Sequence, residues 1–161
     1  MIKNVGIVLN HLGASQLAYL AIHNANTINK KGEHELLLFF KTMVQPCLVV
    51  QAACMHIAEL YSFTGTIIST DIDSNITVIN IPTACKKVFY VWDLEWLRDH
   101  KDYKYNMQAF RHPDVTLIAR SQSHANAITN YCSRKVSLIV PNFNVSQIIE
   151  LEPQYEHSDN H

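Results

Sequence analysis

The 161-residue chain has only four glycines, and it lacks the glycine-rich signatures that bind phosphates. It contains neither the GxGxxG pattern of dinucleotide-binding folds nor the GxxxxGK[ST] pattern of nucleotide hydrolases. The first predicted turn holds a single glycine, Gly13. The sequence therefore gives no support to a classical dinucleotide-binding enzyme, a flavodoxin-like protein or a nucleotide hydrolase.

The chain also lacks a recognisable cysteine pattern. Its four cysteines (Cys47, Cys54, Cys85 and Cys132) form no CxxC pair and show no zinc-site spacing, so no metal site is predicted. No basic segment followed by a short apolar one marks a secretory signal. The cysteines are therefore interpreted as reduced thiols of a cytoplasmic protein.

Neither charge sign is in excess, and long apolar runs are missing. Thirteen Lys and Arg against 14 Asp and Glu leave a net charge of −1, which gives no electrostatic support to nucleic-acid binding. No apolar run approaches the ~18 residues that a membrane helix needs, so no membrane partner is expected. With 48% hydrophobic residues, the sequence predicts one globular domain over 1–151 and a polar tail over 152–161.

Apolar, β-prone runs alternate with helical patterns along the chain. This alternation predicts a single doubly wound, Rossmann-like α/β domain, with a mostly parallel sheet of about six strands and helices on both faces. Ser15 and Gly32 are the predicted caps of the first helix. The predicted strands cover 3–10, 35–40, 66–69, 88–91, 115–119 and 136–140.

Other segments carry weaker patterns. The apolar spacing over 48–60 predicts a buried helix. Residues 72–81 allow either a strand or a helix, and the β–α alternation favours a helix that ends before Pro82. Further predictions are a loop with a short helix over 99–114, a helix capped by Ser121 or Ser123, and a last helix over 147–151 with Ser146 as its cap.

The central stretch is KKVFYVWDLEWLR, residues 86–98, in which a buried strand stops at two acids set between the only two tryptophans. Ligands of open α/β sheets bind at the carboxyl ends of the strands. The candidate site residues here are Trp92, Asp93, Glu95 and Trp96. In the alternative interpretation, Asp93 caps the next helical turn and the tryptophans only pack.

Polar residues follow two other predicted strands at the same edge of the sheet. His11 and Gly13 follow the first strand, and Arg120 and Ser121 follow the fifth. An arginine at this edge is suited to a phosphate. The alternatives are that His11 only bonds its own turn and that Arg120 forms a structural ion pair with Asp93 or Glu95.

The stretch YVWDLEWLR, followed after a loop by VTLIARSQSHANAITNYCSRKVSLIVPNF, resembles the first domain of glycosyltransferases built from two Rossmann domains, the GT-B architecture. The nearest resemblance is to the short glycosyltransferase-like proteins of tailed phages, and it covers residues 1 to about 145 in element order. In that family the first domain binds the acceptor. Inverting members carry a carboxylate base at a strand end, where this chain has Asp93.

The resemblance implies transfer of a sugar from a nucleotide-sugar donor to a glycosyl acceptor. Asp93 would be the base and the tryptophans would stack on a sugar face. No cofactor is expected. The family's second domain, which holds most donor contacts, has no counterpart here, so a second copy or a partner would supply it. The alternative function is a non-enzymatic binding or assembly module on the same fold.

Overall fold

Seven parallel strands make one sheet in the computed structural model, which describes residues 1–82, 85–98 and 102–151. The predicted tail 152–161 and residues 99–101 of the predicted loop lie outside these ranges. The strands are β1 (Asn4–Leu9), β2 (Glu35–Phe40), β3 (Ala53–His56), β4 (Thr66–Ser69), β5 (Lys86–Val91), β6 (Val115–Ala119) and β7 (Leu138–Ile139).

The strand order is β3-β2-β1-β4-β5-β6-β7, so the direction of winding reverses between β1 and β4. This order is that of a doubly wound, Rossmann-like fold, and it confirms the predicted fold class. All six pairings between neighbouring strands are parallel. The sheet has seven strands, one more than the approximate number expected, because β3 lies in a segment predicted to be helical.

The helices cover both faces of the sheet. They are α1 (Gln16–Lys31), α2 (Ile72–Ile79), α3 (Tyr103–Phe110), α4 (Gln122–Cys132) and α5 (Val145–Ile149). Buried residues of α1 and α5 pack with one set of strand side chains, whereas those of α2, α3 and α4 pack with side chains of the opposite face. No helix within the described ranges is both long and apolar enough to cross a membrane.

The predicted caps of α1 are confirmed. Ser15 accepts a hydrogen bond from the main-chain nitrogen of Ala18 at 3.1 Å, and Gly32 ends the helix with a left-handed φ of 69°. Ser121, not Ser123, caps α4, because its hydroxyl accepts from the main-chain nitrogen of His124. These caps place the N-termini of α1 and α4 at the carboxyl edge of the sheet.

The helix predicted over 48–60 is wrong. Ala53–His56 pairs with β2 instead, and a 3₁₀ turn, Ile57–Ser62, follows it. The side chain of Asn26 explains the extended backbone before β3, since it donates to the carbonyl of Val49 and accepts from the main-chain nitrogen of Gln51. Side-chain partners of this kind let the backbone remain extended in place of forming a helix.

Two predictions near the end of the chain need correction. The sixth predicted strand, 136–140, is reduced to the two residues of β7. The last helix runs from Val145 to Ile149, and Asn144 caps it in place of Ser146, because Asn144 accepts from the main-chain nitrogen of Gln147. The segment 72–81 contains a helix, α2 (Ile72–Ile79), as the β–α alternation favours.

A buried polar group links three elements below the carboxyl edge. Asn75 of α2 is 0% exposed. Its Oδ1 accepts from the hydroxyl of Ser69 at 2.8 Å, and its Nδ2 donates to the carbonyl of Ala109 at 2.8 Å. Because the site is buried, water could not replace these bonds if they were lost, so their loss lowers the stability of the fold. Asn75 therefore fixes α2 to β4 and α3.

We expect Asn75→Ala to lower the free energy of unfolding by about 1–3 kcal/mol, because the Ala109 carbonyl loses this bond in the interior and the Ser69 hydroxyl keeps only its bond to the Val88 carbonyl. Urea unfolding followed by circular dichroism measures this loss. The matched control is Asn80→Ala, since Asn80 is exposed and, among the described residues, its side chain bonds the carbonyl of Ile76 one turn earlier in its own helix. Equal losses in the two variants would contradict the role assigned to Asn75.

Candidate functional site

A polar cavity of about 330 Å³ opens at the carboxyl edge of the sheet, at the ends of β5, β6 and β7. Three predicted site residues, which follow two different strands, come together in its wall. They are Trp92, Arg120 and Ser121. The first turns of α1 and α4 and the loop after β7 complete it with Gln16, Ser123, His124, Pro141 and Asn142. The cavity thus lies between the two helical layers.

Tyr90 of β5 holds the loop that forms one wall of the cavity. Its buried hydroxyl donates to the carbonyl of Val140 at 2.5 Å and accepts from the main-chain nitrogen of Phe143 at 3.2 Å. The ring also packs edge-on against Phe143, with centroids 4.9 Å apart. Asn142 lies in the chain between these two bonded residues, Val140 and Phe143, and has a left-handed φ of 55°. The position of Asn142 at the cavity therefore depends on a side chain of the core.

Arg120 supplies the positive charge of the cavity. Its guanidinium carbon lies 4.6 Å from the ring centroid of Trp92, within the range of a cation–π contact. No carboxylate of the described ranges lies within ion-pair distance of Arg120, so the alternative in which Asp93 or Glu95 pairs with it is wrong. The guanidinium is held by an aromatic face and leaves its N–H donors for a ligand.

His124 lies in the first turn of α4, beside Arg120. Its Nδ1 is buried and has no hydrogen-bond partner among the residues that the structure describes. Burial lowers the pKa of His124 from its ordinary value, and the charge of Arg120 lowers it further, whereas Asp93 opposes the shift. Burial and the charge of Arg120 therefore both favour the neutral imidazole.

Asp93 is near this cavity but does not line it. Its two carboxylate oxygens accept from Arg98, Oδ1 from Nη2 at 3.1 Å and Oδ2 from Nη1 at 3.0 Å. Leu94 begins the following 3₁₀ turn without a side-chain cap, so the predicted capping role of Asp93 is not seen. The side chain of Asp93 is 38% exposed, and that of Arg98 is 76% exposed. Asp93 is thus a solvent-accessible carboxylate in a two-bond ion pair.

Glu95 faces α2. Its Oε2 accepts from the main-chain nitrogen of Ile72, the first residue of that helix, at 2.9 Å. Burial raises the pKa of Glu95 to about 7; the bond from Ile72 opposes the shift, and the charges of Asp71, Asp73 and Asp93 add to it. Glu95 therefore binds the N-terminus of α2 among other acids, and it is outside the cavity.

The raised pKa of Glu95 predicts a pH-dependent stability. A carboxyl whose pKa is raised on folding stabilises the fold fully below its ordinary pKa of 4.5, and this stability is lost as the pH rises through about 7. We expect Glu95→Gln, which cannot ionise, to gain on the order of 1–2 kcal/mol relative to the wild type between pH 5 and pH 8, a figure reduced for solvent screening. Urea unfolding at both pH values measures the gain.

Glu33→Gln is the matched control for this experiment. Glu33 is exposed, and the element that follows it is the strand β2, so its carboxylate is not at the N-terminus of a helix. Its stability is expected to follow the wild-type pH profile. If Glu95→Gln also follows that profile, Glu95 is not the group that titrates near neutral pH.

Trp96 packs away from the cavity. Its ring stacks on Tyr131 with centroids 4.1 Å apart and planes 2° from parallel, and it meets the edge of Phe110 at 5.4 Å. This cluster belongs to the helical layer of α3 and α4. The alternative interpretation, in which a tryptophan of this stretch only packs, describes Trp96, whereas Trp92 lines the cavity.

His11 and Gly13 do not line the cavity either. The Nδ1 of His11 accepts from the main-chain nitrogen of Gly13 at 3.0 Å, so His11 bonds its own turn. A Cβ at Gly13 would lie 2.6 Å from a methyl carbon of Val44, which shows that the glycine makes room for this side chain. At the adjacent end of β4, Lys41 forms an ion pair with Asp71 at 3.5 Å. These contacts lie at the ends of β1, β2 and β4, next to the point where the strand order reverses.

Sequence reasoning missed His124, Gln16 and Asn142 as site residues. The first two stand in the first turns of helices that follow strands, and these turns lie at the carboxyl edge with the strand ends. A position in the first turn of a helix that follows a strand could therefore have been used to predict His124 and Gln16 as site residues. Asn142 carried no such signal, because its position depends on the hydrogen bonds of Tyr90.

Among the described residues, no three His, Cys, Asp or Glu side chains are grouped so as to hold a metal ion. Comparison with protein-family models, with curated proteins and with solved structures found no match to this chain. The cavity at the ends of β5, β6 and β7 is therefore the feature of this chain that bears most directly on its function.

Proposed function

We propose that this chain is the acceptor-binding domain of a glycosyltransferase-like protein, and that the acceptor binds in the cavity beside Trp92 and Arg120. The observation that supports the proposal is the convergence of these two side chains with Ser121 in one polar cavity. Concave sites at the carboxyl edge of parallel sheets are common ligand sites. The volume of about 330 Å³ is at the lower end of ligand pockets, which suits a small polar molecule.

In this proposal, Asp93 is the general base. The acceptor hydroxyl loses its proton to the carboxylate while its oxygen forms a bond to the anomeric carbon of the donor sugar. The bond from that carbon to the donor phosphate breaks, and a nucleoside diphosphate leaves. Two observations support this role: Asp93 directly follows Trp92, which lines the cavity, and its charge acts on the imidazole of His124. Both carboxylate oxygens accept from Arg98, and each keeps a second lone pair that an acceptor hydroxyl could reach.

The donor is a nucleotide sugar in this proposal, and its nucleotide is held by a second copy of the chain or by a partner protein. The cavity supplies the acceptor side, and Trp92 and Gln16 are the groups that would contact a sugar ring and its hydroxyls. Aromatic rings offer an apolar face with little loss of conformational freedom.

The second candidate is a binding module without catalysis. The observation that favours it is the ion pair of Asp93 with Arg98, which occupies the proposed base. In this case Asp93 orders the 3₁₀ turn after β5, and the cavity only recognises its ligand.

The first experiment is binding of a panel of nucleotide diphosphate sugars to the purified chain by thermal shift, with light scattering after size exclusion. The glycosyltransferase proposal expects a shift with one donor class, accompanied by a dimer or a larger assembly. A folded monomer that shows no shift with any donor would contradict it and would favour the binding module. Transfer to simple sugars, with the released nucleoside diphosphate as readout, then tests catalysis.

A further inference from the structure

Arg120 is the cation of the cavity, and no carboxylate among the described residues lies within ion-pair distance of it. It is partly buried, its guanidinium is held over Trp92, and within the described ranges neither an ion pair nor a hydrogen bond engages it. Desolvating an arginine without an anionic partner is unfavourable, so an arginine held in this way is suited to an anionic ligand. Among the described residues, Asp93 is the acid whose charge acts on His124, and its carboxylate is paired with Arg98.

The other groups of the cavity are suited to the same ligand. The hydroxyls of Ser121 and Ser123 lie 3.0 Å apart at the first turn of α4. The N–H groups of a first helical turn have no partners inside the helix, and they carry the positive end of the helix dipole. Gln16 and Asn142 add two amide side chains. A cation, hydroxyls and a helix N-terminus together favour an oxyanion with several oxygens.

We infer that the cavity binds the phosphate group of a small glycosyl ligand, with Arg120 as its ionic partner and the first turn of α4 as a second set of donors. The glycosyl part of this inference rests on the proposed function, whereas the phosphate part rests on the cavity alone. A phosphate could belong to a phosphorylated sugar acceptor or to the diphosphate of a donor, and both present the same oxygens to Arg120.

His124 offers a direct readout of an anion in the cavity. The charged groups that act on it are Arg120 and Asp93, and burial together with Arg120 keeps its pKa below the ordinary value. A bound phosphate adds negative charge close to the ring, which favours the imidazolium form. Phosphate should therefore raise the pKa of His124, and the shift should disappear when Arg120 no longer binds the anion.

The test uses the full chain and four probes: inorganic phosphate, a hexose 6-phosphate, the same hexose without phosphate, and a nucleoside diphosphate. Calorimetry measures affinity, and proton–nitrogen spectra of the imidazoles follow His124, whose signal is assigned by its loss in His124→Gln. We expect inorganic phosphate to bind the wild type and to raise the pKa of His124. We expect Arg120→Gln to bind phosphate at least about tenfold more weakly.

Lys135→Gln is the matched control, because it removes one exposed positive charge outside the cavity. It should bind phosphate within about twofold of the wild type, since an exposed charge adds little. Arg120→Lys keeps the charge but loses the planar donor fork, so its affinity should fall between those of the wild type and Arg120→Gln. This second variant keeps the test valid if Arg120→Gln is poorly folded.

The outcomes separate the two proposals. No phosphate binding, or equal affinity in the wild type and a folded Arg120→Gln, overturns the phosphate site. Equal affinity for the hexose with and without phosphate also overturns it, and leaves the acceptor proposal standing. Phosphate binding that Arg120→Gln removes, without any preference for a sugar, supports the phosphate site and contradicts the glycosyl function. Tighter binding of the hexose phosphate identifies the acceptor as the source, and tighter binding of the nucleoside diphosphate identifies the donor.

Discussion

Replacing Asp93 with asparagine is expected to lower the rate of sugar transfer by about 10²–10⁴-fold, the usual contribution of a general base. Asparagine has the same shape but cannot accept a proton, so binding of the acceptor should stay within about twofold of the wild type. Single-turnover transfer with a labelled donor measures the rate, and calorimetry measures acceptor binding.

The ion pair between Asp93 and Arg98 provides the control for this variant. If the carboxylate serves only to hold Arg98, then Arg98→Gln should reproduce every effect of Asp93→Asn. If Asp93 is the base, Arg98→Gln should retain transfer, because it releases the carboxylate. Exposed ion pairs contribute little to stability, so both variants should unfold at nearly the wild-type urea concentration. Transfer that survives in Asp93→Asn would leave the binding module as the better account.

Replacing Gly65 with alanine is expected to destabilise the fold by about 3–5 kcal/mol, from backbone strain and steric overlap together. Gly65 precedes β4 with a φ of 137°, a conformation that side chains oppose. A Cβ there would lie 2.3 Å from the carbonyl oxygen of Asn4. The clash is with main chain at the start of β1, so it cannot be relieved by rotating a side chain. Urea unfolding measures the loss.

Gly32→Ala separates the two causes of this loss. Gly32 also has a left-handed φ, of 69°, but nothing lies within 4 Å of the position of its Cβ. We expect this variant to lose about 1 kcal/mol, from conformation alone. If Gly65→Ala is no worse than Gly32→Ala, then β1 and β4 can move apart at this end, and their contact is looser than the structure shows.

The doubly wound sheet could be predicted because local patterns and tertiary packing agree along most of the chain. The run of apolar residues in β2 and in β5 has no alternation, which is typical of strands buried on both faces. Ser15 and Gly32 are strong local signals, since each satisfies backbone groups of α1 by itself. In such segments a few consecutive residues are enough to predict the secondary structure.

The segment before β3 could not be predicted for the opposite reason. Its extended form depends on Asn26, which lies more than 20 residues away and bonds its backbone at two points. The apolar spacing over 48–60 fits a helix when the segment is considered alone. A partner distant in sequence therefore overrides the local pattern. Rules that consider only neighbouring residues cannot predict such a contact.

The candidate site was predictable in part. Strand-end reasoning brought Trp92, Arg120 and Ser121 to one edge, and they share a cavity. It did not show which side chains are already engaged by neighbours, as His11 is by its own turn and Trp96 is by Tyr131. Side-chain direction after a strand depends on loop geometry, and this geometry is set by contacts that the sequence does not display.

The strand order also determines how the sheet can grow as the chain leaves the ribosome. Parallel neighbours cannot form hairpins, so each strand must wait for its crossover segment. The first four strands complete the half-sheet β3-β2-β1-β4, whose edge at β4 is open, and β5, β6 and β7 then join that edge in the order of their synthesis. The cavity at the ends of β5, β6 and β7 therefore belongs to the second half of the sheet. A nascent chain can pair β3, β2, β1 and β4 before its binding site exists, and it gains the site only after residue 142 has emerged.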